Sequence, residues 1–101
     1  MPADANDGAV PFALLRRFTA AESAIYPLAM TDPESYERAV TVVGVVFRQL
    51  RDDCPTVDAL VARLPAAAEQ AAQLAEAEGL GLDPAVIADA AAMLRYRELR
   101  S

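Results

Sequence analysis

Between Val40 and Phe47 every residue except Thr41 and Gly44 is large and apolar. Whatever secondary structure this run adopts, it has no polar side to offer water, and the rest of the chain must cover it. Valine-rich runs favour strands by propensity, and a short apolar run is not assigned by periodicity alone. Its flanks assign it. The sequence Thr31-Asp32-Pro33-Glu34 holds two compatible helix starts: Asp32 as N-cap with Pro33 at the first helical position, or Thr31 and Glu34 as a capping box. Glu34 and Arg38 are spaced to pair on an exposed turn, with Arg48 and Arg51 near the negative end of the helix dipole. The segment from about residue 33 to residue 52 is therefore predicted to be a buried central helix, about 30 Å long.

Gly44 interrupts the run. At an ordinary helix position it costs about 1 kcal/mol relative to Ala, less than the roughly 1.5 to 3 kcal/mol returned by burying one large apolar side chain. A glycine inside a buried helix is a place where another backbone can approach closely. Gly44 is thus the candidate helix crossing, and Gly44→Leu is expected to cost more than ~2 kcal/mol by overpacking.

On either side the chain is punctuated for more helices. Residues 1–10 are small, acidic and without periodicity, and read as a disordered acidic tail; residues 11–101 read as a single helical domain. From Phe12 onward, Leu14, Leu15, Phe18, Ala21 and Ile25 recur at helical steps. Thr19 and Glu22 match a capping box and Pro27 stops a helix, so residues 12–30 form one kinked helix or two. Thr56 is an N-cap for a short helix carrying Val57, Leu60, Val61 and Leu64, which Pro65 is expected to end. An alanine-rich helix follows, predicted to lie against the central helix near Gly44. Gly79 and Gly81 supply the positive-φ closure, and Asp83-Pro84 starts a last helix with Val86, Ile87, Ala90, Ala91, Leu94 and, at the edge of that face, Met93 inward. The fold class is all-α, a small bundle of four to five helices.

Charge and composition narrow the function. The chain has 101 residues, a formal net charge of −6, nine Lys plus Arg against 15 acids and no His. All nine cations are Arg, a usage typical of GC-rich bacterial genomes. Nucleic-acid backbones are bound by clustered cations, so this balance argues against a nucleic-acid partner, and it would repel an anionic membrane. The single cysteine, Cys54, rules out an intramolecular disulfide. An acidic N-terminus without an apolar core, and the lack of a run of ~20 apolar residues, lead to the expectation of a soluble, cytoplasmic protein.

No constellation of residues points to catalysis. Without His, a nucleophile lacks its commonest base. Cys54 stands beside Asp53, whose negative charge is expected to suppress thiolate. Asp52, Asp53 and Asp58 lack the spacing of a calcium loop, so no catalytic, metal or cofactor residue is assigned. Residues 56–80, broken at Pro65, have a helix-turn-helix-like outline, but the second helix carries Glu69, Gln70, Gln73 and Glu76 and no cation, leaving nothing to hold it on a duplex. Arg95, Arg97 and Arg100 gather at the end of the last helix and are the candidate partner contact, suited to an acidic patch. Tyr26 and Tyr36 are the candidate pocket, between the first two helices.

The sequence thus predicts a non-enzymatic protein-protein interaction or self-associating module, with a homodimer or another protein as partner and no cofactor. The alternatives are a transcription-related regulator using the degenerate unit over residues 56–80, and a bundle that binds a small apolar ligand.

Overall fold

The computed structural model describes the backbone from residue 2 and the side chains from residue 12; the tail expected over residues 1–10 lies outside the residues described in full. The fold is all-α. Its helices are α1 (Pro2–Ile25), α2 (Leu28–Thr31), α3 (Pro33–Asp53), α4 (Val57–Ala77) and α5 (Pro84–Arg100), of which α2 is a single turn.

Side-chain caps set where three of these helices begin. The Asp32 carboxylate accepts from the Ser35 amide at 3.2 Å and from its hydroxyl at 2.7 Å. Those two bonds hold the Asp32 carboxyl below the usual carboxylate range. Of the two starts open in the sequence, Asp32 with Pro33 is therefore the one used; the Thr31 hydroxyl turns back to donate to the Pro27 carbonyl at 3.1 Å. Thr56 accepts from the Ala59 amide at 3.1 Å and Asp83 from the Ala85 amide at 2.9 Å, each satisfying an amide that the first helical turn leaves free. At the end of α4, Gly79 takes φ +66°. The Leu80 amide bonds the Ala75 carbonyl at 2.8 Å and the Gly79 amide bonds that of Glu76 at 3.1 Å, the paired closure that a left-handed residue permits. Gly81 does not share the positive φ.

Of the alternatives open over residues 12–30, the chain does not break at Phe18, where the Thr19 hydroxyl donates to the Leu15 carbonyl at 2.9 Å inside a continuous turn; α1 ends at Ile25, as Pro27 led one to expect, and a turn at Tyr26-Pro27 leads to the separate α2. Nor does Pro65 end a helix. It lies inside α4, whose buried stripe of Leu60, Leu64, Ala67, Ala71 and Ala75 passes it without changing face. Pro65 removes one amide donor and crowds the preceding turn, but buried residues on both sides of it keep one face of α4 against the core.

The helix with the most buried residues is α5, not α3. It packs against α1, α3 and α4, whereas α3 meets α2, α4 and α5. Ile87, Ala88, Ala90, Ala91, Ala92, Met93 and Tyr96 are all buried, and these residues point in most directions around the α5 axis. Four of them are alanines, whose small side chains let three neighbours come close at once. Phe18 of α1 meets Tyr96 with ring centroids 5.7 Å apart, and the ion pairs Arg17–Asp89 and Glu22–Arg97 flank that contact. The predicted central helix buries only Ala39, Val42, Val43, Val46 and Leu50, one side of α3. On its other side Val40 is 47 % exposed.

Candidate functional site

Because α1 and α3 both lean on α5, they leave a groove between them. Its volume is about 220 Å³, and its walls come from three helices and the turn after α1. Glu22, Ile25 and Tyr26 line one side; Tyr36, Val40, Val43 and Gly44 of α3 line the other. Ala90 and Met93 of α5 form the floor, with Leu94 at its edge. Tyr26 and Tyr36, singled out from the sequence, thus face the same space. Tyr36 is half-buried and packs against the core, whereas Tyr26 is exposed.

The groove is not sealed. Tyr26 is 54 % exposed, Val40 47 % and Leu94 37 %, so each of its three sides presents a large apolar side chain to solvent. The sequence reading placed Leu94 inward; it stands instead on the rim. Its one charged lining residue, Glu22, is already paired with Arg97 at 3.3 Å. The groove is therefore apolar with a neutralised edge.

Gly44 occupies the rim differently from the sequence reading. A methyl group built on it would meet no heavy atom within 4 Å, so no other segment of the described chain crosses α3 closely there. The alanine face of α4 meets α3 further along, where Leu50 and Gln49 adjoin Ala66, Ala67 and Gln70. The physical reason is the direction in which Gly44 points. Steps of 100° per residue place it on the opposite side of α3 from Val42 and Val46, which are buried.

The three C-terminal arginines are not a free cationic cluster. Arg95 turns inward, its side chain 14 % exposed, and donates to the Cys54 carbonyl from Nε at 3.0 Å and from Nη2 at 2.9 Å. It also pairs with Glu98 at 3.0 Å. Arg97 is taken by Glu22, and the Arg100 guanidinium lies over the Tyr96 ring at 6.0 Å. A carbonyl at the end of a helix lacks an intrahelical partner, and Arg95 fills that need for α3.

Cys54 is buried, and its Sγ points at the Ala59 carbonyl at 3.7 Å. Burial pushes the thiol pKa up, with Asp53 adding to that shift while Arg63 and Arg95 oppose it. The sequence reading named the charge of Asp53 as the cause; loss of solvent is the larger one. Asp53 itself is held below the usual carboxylate range, chiefly by the Gln49 side-chain amide and also by Arg63. Among the described residues, no group of three or more His, Cys, Asp or Glu could hold a metal ion.

The helix-turn-helix-like outline over residues 56–80 has no turn, since α4 runs unbroken from Val57 to Ala77. No helix among the described residues is long and apolar enough to cross a membrane. Of the groove residues missed in the sequence, Val40 lies off the buried stripe of α3, and that angular offset was the available signal; Leu94 shares the face of Ile87, Ala90 and Ala91 and gave no such signal. No protein-family model, no curated protein and no solved structure matches this chain.

Proposed function

We propose that this protein is a non-enzymatic interaction module that self-associates as a homodimer through the face around the α1–α3 groove. The observation that carries this reading is the exposure of Tyr26, Val40 and Leu94, three large apolar side chains from different segments, on one groove. Contiguous apolar surface of this kind on a small domain marks a place where another molecule excludes water. Absence of His from the chain and burial of its one thiol support a role that needs no nucleophile. Sedimentation equilibrium at micromolar concentration is the test. A species of about twice the 10.7 kDa chain mass is the expected result, and a monomer throughout removes the proposal.

A second reading, a small apolar ligand in the groove, draws on the space left beside Gly44 and the two tyrosine hydroxyls. The groove holds about 220 Å³, below the roughly 300 to 1,000 Å³ usual for ligand pockets, so the protein-partner reading is preferred. A rise in melting temperature with a medium-chain alcohol or fatty acid, unaccompanied by any change in mass, would favour the ligand instead.

A further inference from the structure

We infer that two copies of this chain pair antiparallel along the outer face of α3 and cross at Gly44. The inference rests on the self-association proposed above and identifies its surface. At 100° per residue, Glu37, Val40, Thr41, Gly44, Arg48 and Arg51 share one side of α3, away from the buried Ala39, Val42, Val46 and Leu50. All of the six are exposed except Gly44, which is half-buried. This face continues into the apolar groove through Val40 and Gly44.

Three features make the face complementary to itself. First, Gly44 has no side chain and no neighbour within 4 Å of where one would begin, so a second helix can come against the backbone there once the Arg48 Nε, which donates to the Gly44 carbonyl at 3.3 Å, turns aside. Second, the charges are placed symmetrically about it: Glu37 lies seven residues before and Arg51 seven after, each about 10 Å from the crossing at 1.5 Å per residue. A two-fold axis through Gly44 sets Glu37 of each copy against Arg51 of the other. A parallel pair would bring acid to acid and cation to cation, and would also align the two helix dipoles unfavourably. Third, the same axis sets Val40 against Arg48 of the second copy, whose aliphatic stem can cover the exposed valine.

Within one chain these charges are available. Among the described residues neither Glu37 nor Arg51 is in an ion pair; Arg51 only lies over the Phe47 ring at 5.7 Å. The net charge of −6 makes most contacts between two copies repulsive. On this face two cations, Arg48 and Arg51, stand against one acid, Glu37, which makes it a favourable place for two acidic molecules to meet. Closed two-fold pairing through one self-complementary patch is the commonest form of homo-oligomer.

The test is a charge reversal read by sedimentation equilibrium of the full chain at low salt, with circular dichroism confirming the fold. Glu37→Arg and Arg51→Glu should each weaken the dimer by about tenfold or more, because each creates two like-charge contacts. The double reversal restores opposite charges at both places and should return the dissociation constant to within roughly threefold of the parent. Gly44→Leu should give a folded monomer. If the unaltered protein is monomeric, this inference and the self-association reading fall together. If it dimerises but both single reversals leave the affinity unchanged, or the double reversal is as weak as the singles, the α3 pairing alone is overturned and the dimer uses another face.

Discussion

The third and fifth helices divide the work of the fold in a way that their compositions do not suggest. α3 carries the densest run of large apolar side chains, yet buries one side and leaves Val40 in water. α5 has alanine at five of its 17 positions, yet Ile87, Ala88, Ala91 and Ala92 are each at most 1 % exposed and it touches every other long helix. A helix lined with valine holds its neighbours at the distance those side chains dictate. One lined with alanine lets neighbours approach from several directions, so a small side chain can be more deeply buried than a large one. The amount of apolar surface decides that a helix must be covered; the size of its side chains decides how many partners can cover it.

Truncation at matched places should separate the two helices most strongly. Ile87, at 0 % exposure, is the largest fully buried side chain of α5. Ile87→Ala should lose about 2 to 5 kcal/mol in urea unfolding, the transfer free energy of the removed carbons plus the cavity they leave. Val40→Ala on α3 should change stability by no more than about 0.5 kcal/mol, provided that protein concentration is kept low enough to avoid association. Comparable losses at the two positions would mean that α3, after all, is enclosed.

Arg95 supplies the next largest effect, because it ties the two helices directly. Its guanidinium caps the end of α3 by two bonds to the Cys54 carbonyl, from a side chain that is itself mostly buried. Arg95→Ala removes hydrogen bonds from a charged donor and leaves a buried acceptor without its partner, a change expected to cost about 1.5 to 3 kcal/mol. Arg100→Ala, at the exposed end of the same helix, should stay within about 0.5 kcal/mol. Thermal or urea melts of the two variants side by side would show whether the C-terminal arginines serve the fold unequally, as the geometry requires.

What could be read from the sequence was local chemistry. Asp32-Pro33, Thr56 and Asp83-Pro84 each announce a helix start because one side-chain oxygen and one nearby amide are enough to make it, and Gly79 announces an end because the backbone there needs a positive φ. Pro65 misled for the complementary reason. Its local cost is real, but the stripe from Leu60 through Ala67 to Ala75 keeps one face across it, and burial at a distance outweighs one missing hydrogen bond. The place of α5 was hidden by the same distance. Nothing within Ala88 to Ala92 states how many neighbours will come, and side-chain hydrophobicity alone ranks that stretch below the valine run. The groove was half visible: Tyr26 and Tyr36 stood out as aromatic residues with polar tips, while Val40, Gly44 and Leu94 belonged to it only once α1 and α3 were seen to stand apart on α5.

Gly44 gives the smallest effect and the one that changes sign. If another helix of the same chain crossed it, any side chain there would have to push that helix away and stability would fall. A methyl group built on Gly44 meets nothing within 4 Å, so Gly44→Ala adds no clash and removes the backbone freedom that glycine restores to the unfolded chain. A gain of about 0.5 to 1 kcal/mol is expected, measured by urea unfolding at submicromolar protein, where the monomer prevails. Ala91→Leu on α5 is its counterpart, because at 0 % exposure the added carbons have no room and the cost should be about 1 to 3 kcal/mol. The glycine in the valine-rich helix would then tolerate bulk that the alanine in its neighbour refuses, and a loss at Gly44 of the size seen at Ala91 would return the close crossing to the interior of a single chain.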